Sequence, residues 1–305
     1  MHRMLFSVIV PTCHRNDLLA QCLECLAPGA QTQSPKDYEV IVTDDGVRST
    51  AEDLIREKFP WARWFPGPRL GPAANRNSGA SHARSEWLAF LDDDCLPDPG
   101  WLRAFIDAAA AEPGCSVFEG RTYPGSDRVS LADVAPVNET GGYLWSCNFA
   151  IRRTLFCTVD GFDERYPYAA MEDVDLRTRL QQQRHAFRFV SGASVCHPWR
   201  SAGGWSKLRQ YERSVGIFLS LHPEQIANFG ALYYLRMNVR SIVKETVPGA
   251  WSYRGAGLPN ALMRHCFYLR MAIRTLFGGL SHRETVSPSI RQRNRGRDAI
   301  DTAKN

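Results

Sequence analysis

Apolar runs in this chain stop at acidic or polar clusters, and that coupling is what most constrains its fold. Leu5–Val10 is an unbroken, β-branched run ended by Pro11-Thr12. Tyr38–Thr43 runs into Asp44-Asp45-Gly46, and Trp87–Leu91 runs into Asp92-Asp93-Asp94. Short runs without polar alternation read as strands buried on both faces. Helical patterns lie between them: Asn16 or Asp17 would cap a helix through Leu26, with Leu18, Leu19, Cys22, Leu23 and Leu26 on one stripe. Ser49–Phe59 and Pro72–Ala83 also read as helices, with a short strand at Ala62–Phe65. The alternation predicts an α/β fold, a mainly parallel sheet flanked by helices. Ligands bind such sheets at the carboxyl ends of the strands, which is where all three polar clusters fall.

Downstream, a helix is expected at Trp101–Ala111, a strand at Val117–Tyr123 and a polar surface insertion at Pro124–Thr140. Trp145–Arg152 reads as extended, Val174–Gln183 as helical, and Phe187–Val190 and Ala193–Cys196 as two further extended pieces. Gly203 and Gly204 give hinge freedom to the loop after His197, so Pro198–Lys207 is expected to act as a lid carrying Arg200 or Lys207 to an anionic ligand. The domain reading is a catalytic domain over 1–215, an amphipathic helical extension over 216–280 and a disordered tail over 281–305. Within the extension, Leu232, Leu235, Val239, Ile242 and Val243 form one stripe opposite Arg236, Arg240 and Lys244. Leu262, Cys266, Leu269, Ile273 and Leu276 repeat the pattern beside Arg270 and Arg274. The plain expectation buries the two stripes against each other. The sharper one holds the basic faces against an anionic cytoplasmic leaflet.

Composition bounds the class. The chain has 305 residues, 44% hydrophobic and 23% charged, which is ordinary for a globular protein with a substantial core. Its net charge of +5 is unevenly placed: from Lys207 onward there are 16 Lys+Arg against 6 Asp+Glu, leaving 21 against 26 before it. The acidic part suits a cation and the basic part an anionic surface. No nucleic acid is expected, because the cations follow helix faces instead of interleaving with aromatics. Nine cysteines without disulfide spacing, and a lone Cys22-x-x-Cys25, point to buried thiols in a reducing compartment. No segment reaches membrane-spanning length, so the location expected is cytoplasmic, free or peripheral on the inner face of the plasma membrane.

Three acids at a strand end are by themselves often a solvated turn. The order of motifs carries more weight: a strand-end acid pair, a strand-end acid triplet, Glu172-Asp173-Val174-Asp175 opening a helix, then His197. With Phe6–Thr12, Glu39–Gly46, Gly71–Asn77, Trp87–Asp94, Gly161–Glu164 and Glu172–Leu176 in this sequence, the chain resembles the inverting glycosyltransferases of family 2, which have a GT-A fold.

The resemblance implies roles. Pro11, Thr12 and Asp44 would line a nucleotide-base pocket, Arg76 would support the nucleotide or its phosphates, and Asp92 and Asp93 would lie on the donor side. Asp94 would ligate Mn2+ or Mg2+ with His197, whose nitrogen favours Mn2+. Asn148 and Trp145 would face the transferred sugar or the acceptor, and Asp173, with Glu172 second, would be the general base. The expected activity moves a sugar from a nucleotide-diphosphate donor to a hydroxyl of a glycan or lipid-linked acceptor, as in surface polysaccharide assembly. Two rivals are a sugar-nucleotide nucleotidyltransferase, which would want a Gly-rich phosphate loop where Pro-Thr-Cys-His-Arg stands, and an inactive membrane-docked binding module.

Overall fold

The computed structural model describes residues 5–278 and divides the chain into two units. One holds the residues through Val129 together with Asp133–Ala202; the other holds Ser130–Ala132 and the residues from Gly203 on. The tail expected at 281–305 lies outside the described residues.

The first unit contains, in order, β1 (Phe6–Thr12), α1 (Asn16–Leu26), β2 (Tyr38–Asp44), α2 (Glu52–Lys58), β3 (Arg63–Pro66), α3 (Pro72–Ser81) and β4 (Trp87–Leu91). It continues with β5 (Leu96–Pro97), α4 (Trp101–Ala111), β6 (Val117–Tyr123), β7 (Asp133–Val134), β8 (Asn148–Arg152), α5 (Arg153–Thr158), α6 (Glu172–Gln182), β9 (Phe187–Cys196) and β10 (Arg200–Ser201). Eight strands form one sheet in the order β3-β2-β1-β4-β8-β6-β9-β5, while β7 and β10 pair apart from it. From β3 to β4 the strands are parallel; β8 is antiparallel to both neighbours, and β6 and β9 are again parallel. The carboxyl ends of β1, β2 and β4 therefore share one edge with the amino end of β8, where Asn148 sits opposite Leu91.

Both faces of the sheet are covered, and β1, β2 and β4 are buried throughout. On one side Leu19 and Leu23 of α1 and Trp101 and Phe105 of α4 pack on Phe6, Val8, Val40 and Ala89. On the other, Phe90 is ringed by Phe149, Phe156 and Phe162 with centroids 4.9–5.2 Å away. Truncating such a ring costs about 3–5 kcal/mol. Helix α3 lies close against β1: a Cβ at Gly79 would stand 2.5 Å from Ile9 Cγ2.

Several local expectations change. α1 takes no side-chain cap; Arg15 occupies the cap position, and Asn16 Nδ2 donates to the Thr50 carbonyl at 3.0 Å. Helix α2 starts at Glu52 because the preceding residues wrap around Asp44. The two pieces expected at Phe187–Cys196 are one strand, whose pairing with β6 slips between Gly120 and Arg121 so that residues 191–193 bulge out.

The second unit is helical: α7 (Trp205–Leu221), α8 (Ile226–Phe229), α9 (Ala231–Ser241), a π-helical stretch over Ile242–Thr246, α10 (Val247–Ser252) and α11 (Leu258–Leu276). Lys207 thus belongs to a helix and not to a loop. Burial of the apolar stripes is overturned. Leu232, Leu235, Val239, Ile242, Val243, Leu262, Leu269, Ile273 and Leu276 are all exposed, while Tyr234, Asn238 and Ser241 of α9 and Ala261, Phe267 and Met271 of α11 are buried. Polar pairing accompanies this contact, with His265 Nδ1 2.7 Å from Asn238 Oδ1 and Nε2 2.9 Å from Thr246 Oγ1. Arg270 and Arg274 do not form a solvated basic face either; both pair with the buried Glu212.

Candidate active site

Every acidic cluster singled out in the sequence reaches the shared strand edge, but its members divide their work. Residues 92–95 close a turn, with Cys95 N–H donating to the Asp92 carbonyl at 3.1 Å. The segment turns instead of continuing extended, and its three carboxylates take different partners. Asp92 Oδ1 accepts from Arg76 Nη2 at 2.6 Å. Asp93, fully buried, accepts from Thr12 Oγ1 at 2.6 Å and pairs with Arg15 at 2.5 Å. Asp94 pairs with Arg15 Nη1 at 3.0 Å and lies 3.4 Å from both Arg200 Nη1 and His197 Nε2.

Burial and these partners set the charges. Burial pushes Asp93 up to about 7; Arg15 and Thr12 oppose the shift, and the two neighbouring acids add to it. Desolvation also raises Asp92, but the Arg76 guanidinium beside it outweighs that cost and holds its carboxyl below the usual range.

Arg76 is buried between two carboxylates. Its Nη1 donates to Glu172 Oε1 at 3.0 Å while Nη2 serves Asp92, and its guanidinium lies 5.7 Å from the Phe162 ring centroid. It therefore bonds the end of β4 to the start of α6. Glu172 is pushed up to about 7 by burial and by Asp173, against the pull of Arg76. Asp173 is half-buried; its oxygens accept from Val174 N–H at 2.7 Å and Ser146 N–H at 3.4 Å, and burial raises its carboxyl. Three acids in the first turn of α6 are stabilised by the positive end of the helix. Asp175 turns inward to Arg179 at 2.8 Å and serves the fold.

Asp94 Oδ1 and His197 Nε2 are buried without a hydrogen-bond partner. His197 Nδ1 lies 3.1 Å from the Pro198 carbonyl, which only accepts, so Nδ1 is the donating nitrogen and Nε2 is the one turned to Asp94. A buried carboxylate oxygen and a buried imidazole nitrogen facing each other fit a divalent cation. Cys95 lies within 4.8 Å of the same ligand atoms. Its thiol is held well above the ordinary range, first by burial and then by Cys147, so it stays protonated and is a poor ligand for a hard ion.

Other residues are placed less directly. Pro11 and Thr12 end β1 beside Asp44, both buried. Asp44 already accepts from Gly46 N–H at 2.7 Å and Ala51 N–H at 2.5 Å, with Trp64 Nε1 at 3.5 Å. Asn148 departs from its expected acceptor role. Its amide is used up inside the protein, accepting from Trp101 Nε1 at 2.8 Å and donating to the Arg121 and Ala193 carbonyls at 2.8 and 2.9 Å. Trp145 is half-buried against the core, its ring 4.6 Å from that of the exposed Tyr143. That loop hangs on a residue the sequence did not flag: buried Glu119 accepts from Gly142, Tyr143 and Leu144 N–H and from Asn138 Nδ2. Arg15 and Asn75 were missed too; Asn75 Nδ2 ties the Thr12 and Thr43 carbonyls together at 3.2 and 3.0 Å.

This edge can be compared with known proteins. The family profile described as glycosyl transferase family 2 matches residues 7–156, from β1 through the acidic turn to α5. The chain belongs to glycosyltransferase family 2. A validoxylamine A glucosyltransferase of Streptomyces hygroscopicus subsp. limoneus is 30% identical over 220 residues, covering 59% of this chain and 48% of its own. The chondroitin synthase of Escherichia coli is 27% identical over 212 residues, covering 65% of this chain and 29% of its own. The chain thus spans half or less of these relatives' length. Among solved structures, a mannosyltransferase from Pyrobaculum calidifontis in complex with GDP-Man and Mn2+ superposes with a TM-score of 0.58 at 16% identity, covering 91% of this chain and 88% of that one. S. aureus TarS 1–349 in complex with UDP-GlcNAc gives 0.54 at 18% identity, covering 90% and 92%. The sheet and its flanking helices are the GT-A fold of the family 2 enzymes.

Proposed function

We propose that this chain is a metal-dependent, inverting glycosyltransferase that moves a sugar from a nucleotide-diphosphate donor to an acceptor hydroxyl. The observation that carries the reading is the buried, unpartnered pair Asp94 Oδ1 and His197 Nε2, set at the strand edge beside the Arg76 bridge from Asp92 to Glu172. Asp94 and His197 would hold the ion, and the nitrogen ligand favours Mn2+ over Mg2+. A divalent ion there supplies Lewis-acid neutralisation of the leaving diphosphate.

The protein's own groups supply the rest. Pro11, Thr12 and Asp44 would border the nucleotide base, and Asp92 the ribose side. Arg76 fixes Asp92 against Glu172, so the donor edge and the start of α6 keep one geometry. Asp173 is the base: it is half-exposed, within reach of an incoming hydroxyl, and its raised carboxyl takes a proton better than an ordinary one. Glu172 is less suited, because Arg76 engages one oxygen and the other is buried. Attack opposite the leaving group inverts the anomeric centre. The Tyr143–Trp145 pair offers an aromatic face to an acceptor sugar. An acceptor carried on lipid, as in surface polysaccharide assembly, would keep the enzyme on the cytoplasmic face of a membrane.

Titration calorimetry with UDP-, GDP- and dTDP-sugars, with and without Mn2+, tests the reading. One donor class should bind only with metal, and Asp94→Ala should abolish that binding while leaving the melting curve in place. Turnover that survives both EDTA and Asp94→Ala removes the metal assignment.

A further inference from the structure

The helical unit leaves many of its large apolar side chains uncovered. Between α11 and α9 with its π-helical continuation, His265, Asn238, Thr246 and an Arg264–Glu245 pair at 3.3 Å sit beside buried Tyr234, Phe267 and Met271, whereas many large aliphatic side chains face solvent. Val239 is 61% exposed, Trp251 89% and Phe277 78%. On α11, Leu262, Leu269, Ile273 and Leu276 recur at helical spacing on one face, away from buried Ala261, Phe267 and Met271. A water-facing protein rarely leaves so many large apolar side chains of one helical unit uncovered.

Charge on the same face says what covers it. Leu235, Val239 and Val243 line a shallow depression together with Arg236, Arg240 and Lys244. Those cations are exposed and, unlike Arg270 and Arg274, are not engaged by Glu212. An apolar stripe rimmed by three cations matches the boundary between anionic headgroups and acyl chains. A symmetric contact between two copies through this face would set the cations against one another. Residues 279–305 carry six Lys+Arg against three Asp+Glu and would add to that repulsion if they covered the face. No helix of the described residues is long and apolar enough to cross a membrane, so the face would lie along the surface.

We propose that the exposed faces of α9, the π-helical stretch, α10 and α11 form a docking surface for an anionic lipid bilayer, with Leu235, Val239, Val243 and Trp251 entering the acyl boundary and Arg236, Arg240 and Lys244 holding headgroup phosphates or carboxylates. The proposal extends the reading of a membrane-attached acceptor but stands on the helical unit alone.

Co-sedimentation of the full chain with phosphatidylcholine vesicles, with and without phosphatidylserine, tests it. Wild type should bind the phosphatidylserine vesicles and release them as salt rises. Replacing Arg236, Arg240 and Lys244 together by glutamine should weaken that binding roughly 100-fold, about fivefold per cation. Val239→Glu with Ile273→Glu should weaken binding at least about tenfold at unchanged cation content. Arg103→Gln with Arg188→Gln, exposed cations of the other unit, should leave it unchanged. Wild type that ignores phosphatidylserine vesicles at low salt, or a triple variant that binds like wild type, overturns the proposal. So does a dimer in sedimentation that Val239→Glu dissociates, since a second copy would then own the face. Donor binding by calorimetry separates the two readings: wild type that binds donor but no vesicles removes the docking alone, and wild type that binds vesicles but no donor removes the transfer alone.

Discussion

Arg76→Met should be the most destabilising single change in the site. The guanidinium is 4% exposed and contacts two carboxylates, Glu172 at 3.0 Å and Asp92 at 2.6 Å, themselves 3% and 22% exposed. Methionine keeps much of the volume, so the loss is electrostatic, not a cavity. Removing one side of a buried ion pair leaves uncompensated charge and costs about 3–5 kcal/mol. Proton uptake limits that cost. Arg76 now holds Asp92 down and restrains Glu172; without it both folded-state carboxyls rise. Carboxyls raised in the folded state bind protons that the unfolded chain has released, so the variant loses stability as pH climbs, by about 1.4 kcal/mol per unit for each extra proton. Its deficit against wild type should therefore be larger at pH 8 than at pH 6. Urea unfolding of both proteins at the two values measures this, and adding Glu172→Gln to the variant should restore part of the loss. A deficit below about 1 kcal/mol, or one that does not change with pH, refutes the account of Arg76 as the countercharge of both acids.

Three further outcomes follow from the same geometry. Asp173→Asn should keep donor affinity and lose about 100- to 10,000-fold in turnover, measured by product release, with any residual product still inverted. Gly71→Ala should lower stability by about 1–3 kcal/mol in thermal melts, because its φ is +100° and a Cβ would meet the Pro167 carbonyl at 2.5 Å. Glu119→Gln should raise acceptor KM and open the 138–145 segment to protease while donor affinity holds, since it weakens the anchor of the Tyr143–Trp145 loop.

The parallel half of the sheet was legible because its strands are buried on both faces, and burial there leaves an unbroken apolar signature. β1, α1, α4 and β6 lie within a residue or two of their expected bounds for that reason. The site was legible as a list of acids but not as an arrangement. Arg76 and Glu172 are 96 residues apart and Glu119 and Leu144 are 25 apart, so only the closed fold shows that these groups meet. Asn148 illustrates the opposite error: a polar residue in a promising motif can be consumed by three internal bonds. In the helical unit the periodicity was read correctly and its direction was not. A 3.6-residue stripe tells which residues share a face; it does not tell whether that face turns to protein.

The turn at residues 92–95 makes the three consecutive acids non-interchangeable despite their identical chemistry. Asp92 is addressed to Arg76, Asp93 to Thr12 and Arg15, and Asp94 to His197. Removing one aspartate from the run would leave a sequence that still reads as acidic, yet every remaining carboxylate would be delivered to a neighbour's address. Along this stretch spacing, more than composition, is the inherited information, and a shift of one position would cost more than an exchange of side chains.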